Sequence, residues 1–286
     1  MTRLSIFHLT ENETHIPINQ PRRIINGLIL TAGILMHHNA TAQSVPLGST
    51  ANFAILAGSG ITVAGSVNST AITGNIGSYP TLSVTGLGNV TLTGVNQTAD
   101  SGVMIAAKND LVTAFNAAAA APATTSYAAP QDLGGLFLLP GVYNDASSFG
   151  ITGTLTLNGN GDPNAVFIIQ AGSTLTTASD SAVDLIGGAQ ADNVFWEVGS
   201  SATLGTGTVF AGNMLAYASI TAGTDVTGDA RLLADTGAVT LDGSDFITEP
   251  NSNVSRGTVP DEGGTLLLLG FGLGPLVIFG RRFSVS

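Results

Sequence analysis

The sequence ITGTLTLNGNGDPNAVFIIQAGSTLTT, residues 151–177, contains the pattern from which the fold can be predicted. In residues 154–158 leucine alternates with threonine, and strand side chains alternate between two faces, so the leucines would point inward and the threonines outward. Residues 166–169 are apolar throughout, as expected for a strand that is buried on both faces. Gly, Asn and Asp separate the two runs, which indicates a multi-stranded β architecture.

The same alternation recurs along the second half of the chain. It is found in residues 173–177, 201–205, 219–221 and 238–242. Further apolar runs at 194–196 and 214–217 lie between them. Because the spacing between equivalent strands is irregular, the pattern is not that of a regular hexapeptide or nonapeptide β-helix. A repeat with three unequal faces fits it better.

One segment, residues 98–121, has the spacing of an amphipathic helix. Thr98 or Asp100 is placed to cap its start, and Pro122 follows an alanine run at its end. The stripe that repeats every three or four residues consists of Val103, Ala106, Ala107, Lys108, Leu111, Ala114 and Phe115. Such a stripe needs an apolar partner, and we expect the strands that are buried on both faces to supply it.

The composition excludes several kinds of site. The chain has 286 residues, no cysteine and a formal net charge of −11, and its four histidines are His8, His15, His37 and His38. Once a leader is removed, neither a Ser-His-Asp or Cys-His nucleophile nor a zinc site built on His or Cys is possible. We therefore predict no enzyme activity, no catalytic residue, no metal and no cofactor.

Basic side chains are also sparse, since only Lys108 and Arg231 occur between residues 43 and 253. Such a surface repels a phosphate backbone, so nucleic acid is not a predicted partner. A polysaccharide lyase also uses a β-helix, but it would need clustered acidic ligands and a basic residue near the substrate. Arg231 is the sole basic candidate outside the helix.

Two polar stretches have a composition that resembles a site. Asp225, Asp229 and Asp235 surround Arg231 in sequence, and we expect a surface ion pair of little energetic weight there. Residues 158–162, Asn-Gly-Asn-Gly-Asp, are rich in oxygen and glycine, as in a calcium loop. Only one carboxylate is present locally, so we expect a plain β-turn.

The N-terminus has the order of a secretory signal peptide, residues 1–42. Arg22 and Arg23 precede an apolar run at 24–36, and Ala40-Thr41-Ala42 matches a cleavage site. The alternative is an N-terminal membrane anchor, for which the run is short.

The C-terminus resembles the Val-Pro-Asp-x-Gly variant of PEP-CTERM sorting signals. The segment 259–286 contains that motif, an apolar run at 266–279 predicted as a transmembrane helix, and a basic stop. The motif and stop residues are Val259, Pro260, Asp261, Gly263, Thr265, Arg281 and Arg282. The resemblance implies processing by an exosortase-type enzyme, and the alternative is an uncleaved anchor. Residues 250–258 have linker composition and would follow a domain at 43–249.

The chain between about Leu47 and Ile247 resembles the microbial β-solenoid ice-binding proteins. The stretches that carry this resemblance are 161–170, 188–205, 209–213 and the opening 47–58. The resemblance implies a mainly β fold, an irregular right-handed β-solenoid of triangular cross-section with one long helix packed along a face.

The outward threonines are the candidate functional residues. The predicted ice-binding ladder is Thr154, Thr156, Thr174, Thr176, Thr203, Ser219, Thr221 and Thr240. Gly205 and Asp242 occupy outward places where threonine would complete the rows. A motif of some family members, Thr-Ala/Gly-x-Thr/Asn, is matched at 221–224 and 93–96. The alternative is that threonine simply suits exposed strand positions.

Two functions are compatible with the sequence. The first is a secreted, non-enzymatic ice-binding protein whose partner is the ice crystal surface. The second is a structural or adhesive module of the extracellular polymer matrix or cell envelope, in contact with exopolysaccharide. A flat threonine face would favour the first, and a broken, bumpy or charged face the second. In both, signal peptidase and the sorting enzyme are partners, and only the termini contact the membrane, through transient anchoring by the C-terminal helix.

Overall fold

The structure is a computed structural model and describes residues 45–128 and 130–250. The predicted signal peptide, linker residues 251–258 and sorting signal lie outside these residues. The helices are α1 (Ser101–Ala119) and short 3-10 helices at Gly48–Asn52, Leu87–Asn89 and Ala191–Asn193. No helix among the described residues has the length and apolar character needed to cross a membrane. The strands are β1 (Phe53–Ala57), β2 (Ile61–Val63), β3 (Thr70–Thr73), β4 (Asn75–Ser78), β5 (Val84–Thr85), β6 (Val90–Thr93), β7 (Thr125–Tyr127), β8 (Gln131–Asp132), β9 (Phe137–Leu138), β10 (Gly141–Asp145), β11 (Phe149–Ile151), β12 (Thr154–Asn158), β13 (Phe167–Ala171), β14 (Leu175–Thr177), β15 (Ala182–Ile186), β16 (Val194–Val198), β17 (Ala202–Leu204), β18 (Gly212–Ala216), β19 (Ile220–Ala222), β20 (Thr227–Ala234), β21 (Val239–Leu241) and β22 (Phe246–Thr248).

The described strands pair in parallel and occupy three sheet regions that the chain visits in rotation. The threonine sheet has the order β5-β2-β21-β19-β17-β14-β11-β8. The helix-covered sheet contains β7, β10, β13, β16, β18, residues 230–234 of β20, β1 and β4. The third sheet contains β9, β12, β15 and, across the bridging residue Val209, residues 227–229 of β20, β22, β3 and β6. One passage through the three regions, such as β13, β14 and β15, is called a coil below. The prediction of a mainly β fold with one long helix is confirmed.

The coils do not stack in the order of the sequence. β1 pairs with β20 and β2 pairs with β21, so the first coil of the chain stacks on the last coil. The second coil stacks on the other side of the first, through the pairs β1–β4 and β2–β5. Helix α1 then returns the chain along the stack. Met104 lies against Gly77 of β4, and the Ala118 carbonyl accepts a hydrogen bond from Gln170 of β13 at 2.7 Å. These 14 helical residues rise about 21 Å, close to the roughly 24 Å of five coil spacings.

The helix-covered sheet separates two hydrophobic clusters. Its strands β13, β16 and β18 are buried at every position, as their apolar sequences predict. On the inner side Trp196 is fully buried, with its ring centroid 5.2 Å from that of Phe210. On the outer side the helix packs against the sheet, and this cluster includes Leu111, Phe195 and Leu215. The expectation that these strands supply the partner of the helix is confirmed.

The helix differs in detail from the prediction. It spans 101–119, and of the two proposed caps it uses Asp100, whose Oδ1 accepts a hydrogen bond from the Val103 amide at 3.1 Å. Val103 and Ala106 are exposed, which corrects the predicted stripe. The buried residues are Met104, Ala107, Lys108, Leu111, Ala114 and Ala118. Several stripes fit an alanine-rich sequence equally well, so the spacing alone did not select the buried one.

The expectation of a surface ion pair at Arg231 is wrong. Arg231 is only 4% exposed, and its carboxylate partner is Asp192, with Nη1 and Oδ1 2.9 Å apart. The nearby Asp235 instead pairs with Lys108 of the helix, where Nζ and Oδ1 are 3.1 Å apart. The partner of Arg231 comes from a different coil, and the local sequence does not indicate which coils become neighbours.

Arg231 ties together segments from both ends of the domain. Its Nε donates to the Ala51 carbonyl at 3.0 Å, just before β1, and its Nη2 donates to the Pro250 carbonyl at 2.6 Å, just after β22. Nη1 also donates to Asn213 Oδ1 at 2.8 Å. The guanidinium therefore closes the junction where the first coil meets the last coil.

We expect Arg231→Met to lower the free energy of unfolding by about 3 kcal/mol, because it leaves the Asp192 carboxylate without its buried partner. Urea unfolding measures this loss. Arg231→Lys, which keeps the charge but not the planar fork, is expected to lose less. A Met variant within 0.5 kcal/mol of the parent would contradict the role of this residue.

Two buried carboxyl groups oppose stability at high pH. Burial raises the pKa of Glu197, on the helix-facing side of β16, to about 7 from 4.5. Burial also raises the pKa of Asp245 to about 7, helped by Asp242 and Asp225, although the amides of Val226 and Gly243 donate to it. The folded protein thus favours their protonated forms, whose stabilising contribution is present at low pH and is lost as pH rises through about 7.

The free energy of unfolding is therefore expected to fall between pH 5 and pH 8, by up to about 1.4 kcal/mol per pH unit for each group. Glu197→Gln keeps the shape of the side chain but cannot ionise, so its stability should fall less steeply and exceed that of the parent at pH 8. Thermal melting across this pH range tests the expectation, and identical slopes for both proteins would refute it.

Candidate functional site

Six threonines form an unbroken column on the outer face of the threonine sheet, called the threonine face below. The pairings place each one opposite the next across neighbouring coils. In order along the stack they are Thr85, Thr62, Thr240, Thr221, Thr203 and Thr176. With strands about 4.8 Å apart, the column is about 24 Å long. Gly150 and then Asp132 continue it at one end.

The outward direction of this column follows from the alternation in each strand. In β19 and β21 the residues on both sides of the threonine are fully buried, and Ile220, Ala222, Val239 and Leu241 are each 0% exposed. Because the residues on both sides point into the apolar interior, the threonine side chain between them must point outward. The hydrophobic pattern therefore sets the register of the face.

A row of hydroxyls next to the column connects neighbouring coils. Ser148 Oγ accepts a hydrogen bond from Thr174 Oγ1 at 2.9 Å, and Ser201 Oγ accepts one from the Ser219 amide at 3.2 Å. Ser219 Oγ in turn accepts one from the Ala238 amide at 3.3 Å. These side chains are held in place by the coils beside them, so the row stiffens the edge of the face.

The hydroxyls of the central column are used differently. Within residues 45–128 and 130–250, none of the six threonine hydroxyls makes a hydrogen bond to protein. Each can therefore bond to water, while the methyl group of the same side chain presents apolar surface beside it. The column repeats this pair of groups at the spacing of the coils.

The row on the other side of the column is made of small residues. It consists of Gly134, Thr152, Ala178, Gly205, Gly223, Asp242 and Ala64. A Cβ placed on Gly205 would lie 2.7 Å from the carbonyl carbon of Ala178, so threonine does not fit there. The sequence presents Gly205 as a gap in the ladder, whereas the structure shows that close approach of the coils requires glycine. Five of these seven residues are glycine or alanine, so little side chain rises beside the column there.

The structure brings together only part of the predicted ladder. Six of its members lie on the threonine face: Thr174, Thr176, Thr203, Ser219, Thr221 and Thr240. Thr154 and Thr156 lie on β12 of the third sheet, so the prediction that they belong to the same ladder is wrong. Alternation distinguishes inward from outward side chains, but it does not say which sheet a strand joins.

Two members of the column were missed, Thr62 and Thr85. The triplet Ile61-Thr62-Val63 has the same alternation as the strands that were used, and this signal could have identified Thr62. Val84-Thr85 is too short to carry a pattern. Thr62 lies next to Thr240, and Thr85 next to Thr62, because the first coil stacks on the last coil.

The outer surface of the third sheet is uneven by comparison. Phe137 and Phe246 are 58% and 56% exposed, and Asp184 also lies on this surface. The family motif at 93–96 begins at the end of β6, in this sheet, whereas the motif at 221–224 begins on the threonine face. Bulky and charged side chains therefore interrupt any threonine array here.

The threonine face carries few charges. Its carboxylates are Asp132 at one end and Asp242 in the small-residue row. Although burial alone would raise it, the pKa of Asp132 is held below its usual range by hydrogen bonds from Gly134 and Thr152. No group of three or more His, Cys, Asp or Glu among the described residues is placed to hold a metal ion. At 158–162, Asn158 Oδ1 accepts from the Asn160 amide at 2.9 Å, as in the expected turn.

The family model described as ice-binding-like matches residues 55–247, nearly the whole span of the coils. The chain belongs to the ice-binding-like family. A similar family member is an ice-binding protein of Nostoc sp. (strain HG1), which is 40% identical over 274 residues, or 94% of this chain and 98% of the relative. The resemblance found in the sequence is thereby confirmed at the level of the family.

Solved structures of ice-binding proteins share the fold. The crystal structure of an ice-binding protein from the Antarctic ascomycete Antarctomyces psychrotrophicus matches with a TM-score of 0.68 and 41% identity, over 73% of this chain and 99% of its own. An ice-binding protein from an Arctic yeast, whose structure addresses its antifreeze activity, matches with a TM-score of 0.67 and 31% identity. That match covers 73% of this chain and 96% of the yeast protein.

The glycines of the face allow a direct test of its packing. We expect Gly205→Thr to destabilise the protein by about 2 kcal/mol, because its Cβ would overlap the backbone of the neighbouring coil. Gly150→Thr should be tolerated, since the nearest atoms to a Cβ there are 3.9 Å away, in Asp132. Thermal unfolding of the two variants measures the difference, and equal melting temperatures would show that the coils can move apart.

Proposed function

We propose that this chain binds ice through the threonine face. The observation that supports the proposal is the unbroken column of six outward threonines, about 24 Å long. The surface around this column is proposed to be flat. The Nostoc, ascomycete and yeast relatives are named as ice-binding proteins, and this chain matches them over nearly their full lengths.

The chemistry of the face suits water that is ordered as in ice. Methyl groups cannot bond to water, so water over them forms cage-like arrangements, while the free hydroxyls beside them fix those arrangements to the protein. Because the coils hold both groups at a regular spacing, the ordering needs little adjustment of the protein on binding. Adsorbed molecules then restrict crystal growth to the ice between them, which slows growth and recrystallisation.

The function needs no covalent chemistry. Residues 45–250 contain neither histidine nor cysteine, the residues that most often activate or act as nucleophiles. We therefore propose a non-enzymatic role that needs no cofactor. The hydroxyls act as hydrogen-bonding partners of water.

Several finer expectations belong to the same proposal. Parallel strands that recur in three sheets are expected to wind in a right-handed solenoid, with a triangular cross-section. The motifs at the termini support secretion through signal peptidase and sorting by an exosortase-type enzyme, with the boundaries at 1–42, 43–249, 250–258 and 259–286. The protein would act outside the cell or at the envelope, transiently anchored by the C-terminal segment.

A role as a structural or adhesive module of the polymer matrix, with exopolysaccharide as a partner, is the second candidate. The described feature that favours it is an open cleft beside the third sheet, whose lining includes none of the six threonines of the column. The two roles use different surfaces and can coexist.

Substitution on two sheets tests the ice-binding proposal. The test uses a protein that consists of residues 43–250. Solved relatives align with this chain over nearly their whole lengths, so this span is expected to fold on its own. We expect the double variant Thr176→Tyr with Thr221→Tyr to need at least tenfold more protein for the same inhibition of ice recrystallisation, a change of about 1.4 kcal/mol. The bulky rings would break the flat surface.

The matched control is Thr154→Tyr with Thr156→Tyr, the same change on β12 of the third sheet. It should retain the activity of the parent within about twofold. Circular dichroism confirms the fold of each variant. Loss of activity in both double variants would point to a different face, and an inactive parent would move the proposal to the matrix role.

A further inference from the structure

A cleft of about 510 Å³ opens at the border between the third sheet and the helix-covered sheet. It arises because neighbouring coils differ in length. Residues 178–193 connect β14 to β16 and include β15 and a long turn, whereas residues 205–211 connect β17 to β18 and contribute only the bridging residue Val209. The short connection leaves a gap between the long turn and the end of β22.

The cleft has an apolar floor and a polar rim. The floor consists of Val183, Leu185, Val209, Phe210 and Ala211, and the rim contains Gln190, Asp192, Asp229, Thr248 and Glu249. Val209 is 49% exposed. Phe246 lies beside the cleft on β22 and points outward like Thr248, two residues later in the same strand. Aliphatic and aromatic surface is therefore available next to hydrogen-bonding groups.

The floor is held in a fixed shape. The ring of Phe210 packs on Trp196, whose Nε1 donates to the Ala211 carbonyl at 3.0 Å. On the rim, Asp192 is fixed by its ion pair with the buried Arg231. A site built this way does not need to reorganise when a ligand binds, which lowers the cost of binding.

The chemistry of the rim narrows the class of ligand. Its carboxylates and the hydroxyl of Thr248 accept hydrogen bonds, whereas Arg231, the nearby cation, is buried and already bonded. An anionic ligand would therefore be repelled. The described residues provide no cluster that could hold a metal ion. Asp192 is neutralised by its ion pair, and burial raises the pKa of Glu249, so the rim is less negative than its composition suggests.

We infer that this cleft binds a segment of neutral polysaccharide. Sugar hydroxyls would donate hydrogen bonds to Asp229, Thr248 and Gln190. The C–H faces of successive sugar rings would pack on Val209 and on Phe246, which lie on either side of Thr227 in the register of the third sheet. The inference goes beyond ice binding, because it assigns a second ligand to a surface that does not include the threonine column.

Affinity gel electrophoresis of residues 43–250 tests the inference, with dextran, galactomannan, xyloglucan and laminarin each cast into a gel as the probe. The parent should be retarded by at least one of the four. The cleft variant Val209→Arg with Phe246→Ala should lose at least tenfold in affinity for that polymer, because it fills the floor and removes the ring. Thr248→Trp, which blocks the rim at an exposed position, should also lose binding.

The double variant Thr176→Tyr with Thr221→Tyr separates this inference from the proposed function. It should keep its retardation by the polymer, while the cleft variants keep ice recrystallisation inhibition, which also shows that they fold. No retardation of the parent by any of the four polymers would overturn the inference. Retardation that survives the cleft substitutions would overturn it as well.

Discussion

The stacking of the first coil on the last coil is the constraint on which the rest of the structure depends. Ile55 of β1 lies opposite Leu232 of β20, and Thr62 lies opposite Thr240, although each pair is separated by most of the domain. Without this pairing both coils would end in exposed strand edges. Arg231 secures the junction from the outside by bonding to residues before β1 and after β22. A third of the threonine column exists only because this junction forms.

Close approach of the coils also determines the character of the surface. The same spacing that lets each backbone bond to the next leaves no room for a Cβ at Gly205, and it places Ser148, Ser201 and Ser219 where their hydroxyls bond across coils. These residues look like imperfections in a threonine ladder when only the sequence is considered. In the structure they pack and connect the coils around a column whose own hydroxyls remain free for water.

Local patterns were sufficient for the fold class and for much of the candidate site. Alternation predicted the buried apolar residues and outward threonines of β12, β14, β17, β19 and β21, because an apolar interior requires every second side chain to point inward. It could not separate Thr154 and Thr156 from the others, since parity is the same in every sheet. Thr85 was missed and the partner of Arg231 was misjudged for a related reason: their neighbours come from other coils, and pairing between such segments leaves no mark in the local sequence.

The length of α1 imposes a rule on how this molecule can grow. Each added coil lengthens the stack by about 4.8 Å, which the helix matches with about three residues. Three residues are less than one helical turn, so the buried stripe would rotate by about 60° away from the sheet. Two added coils lengthen the stack by about as much as seven helical residues lengthen the helix. Seven residues are close to two full turns, so the buried stripe still faces the sheet. A longer threonine face is therefore most easily reached by adding coils in pairs.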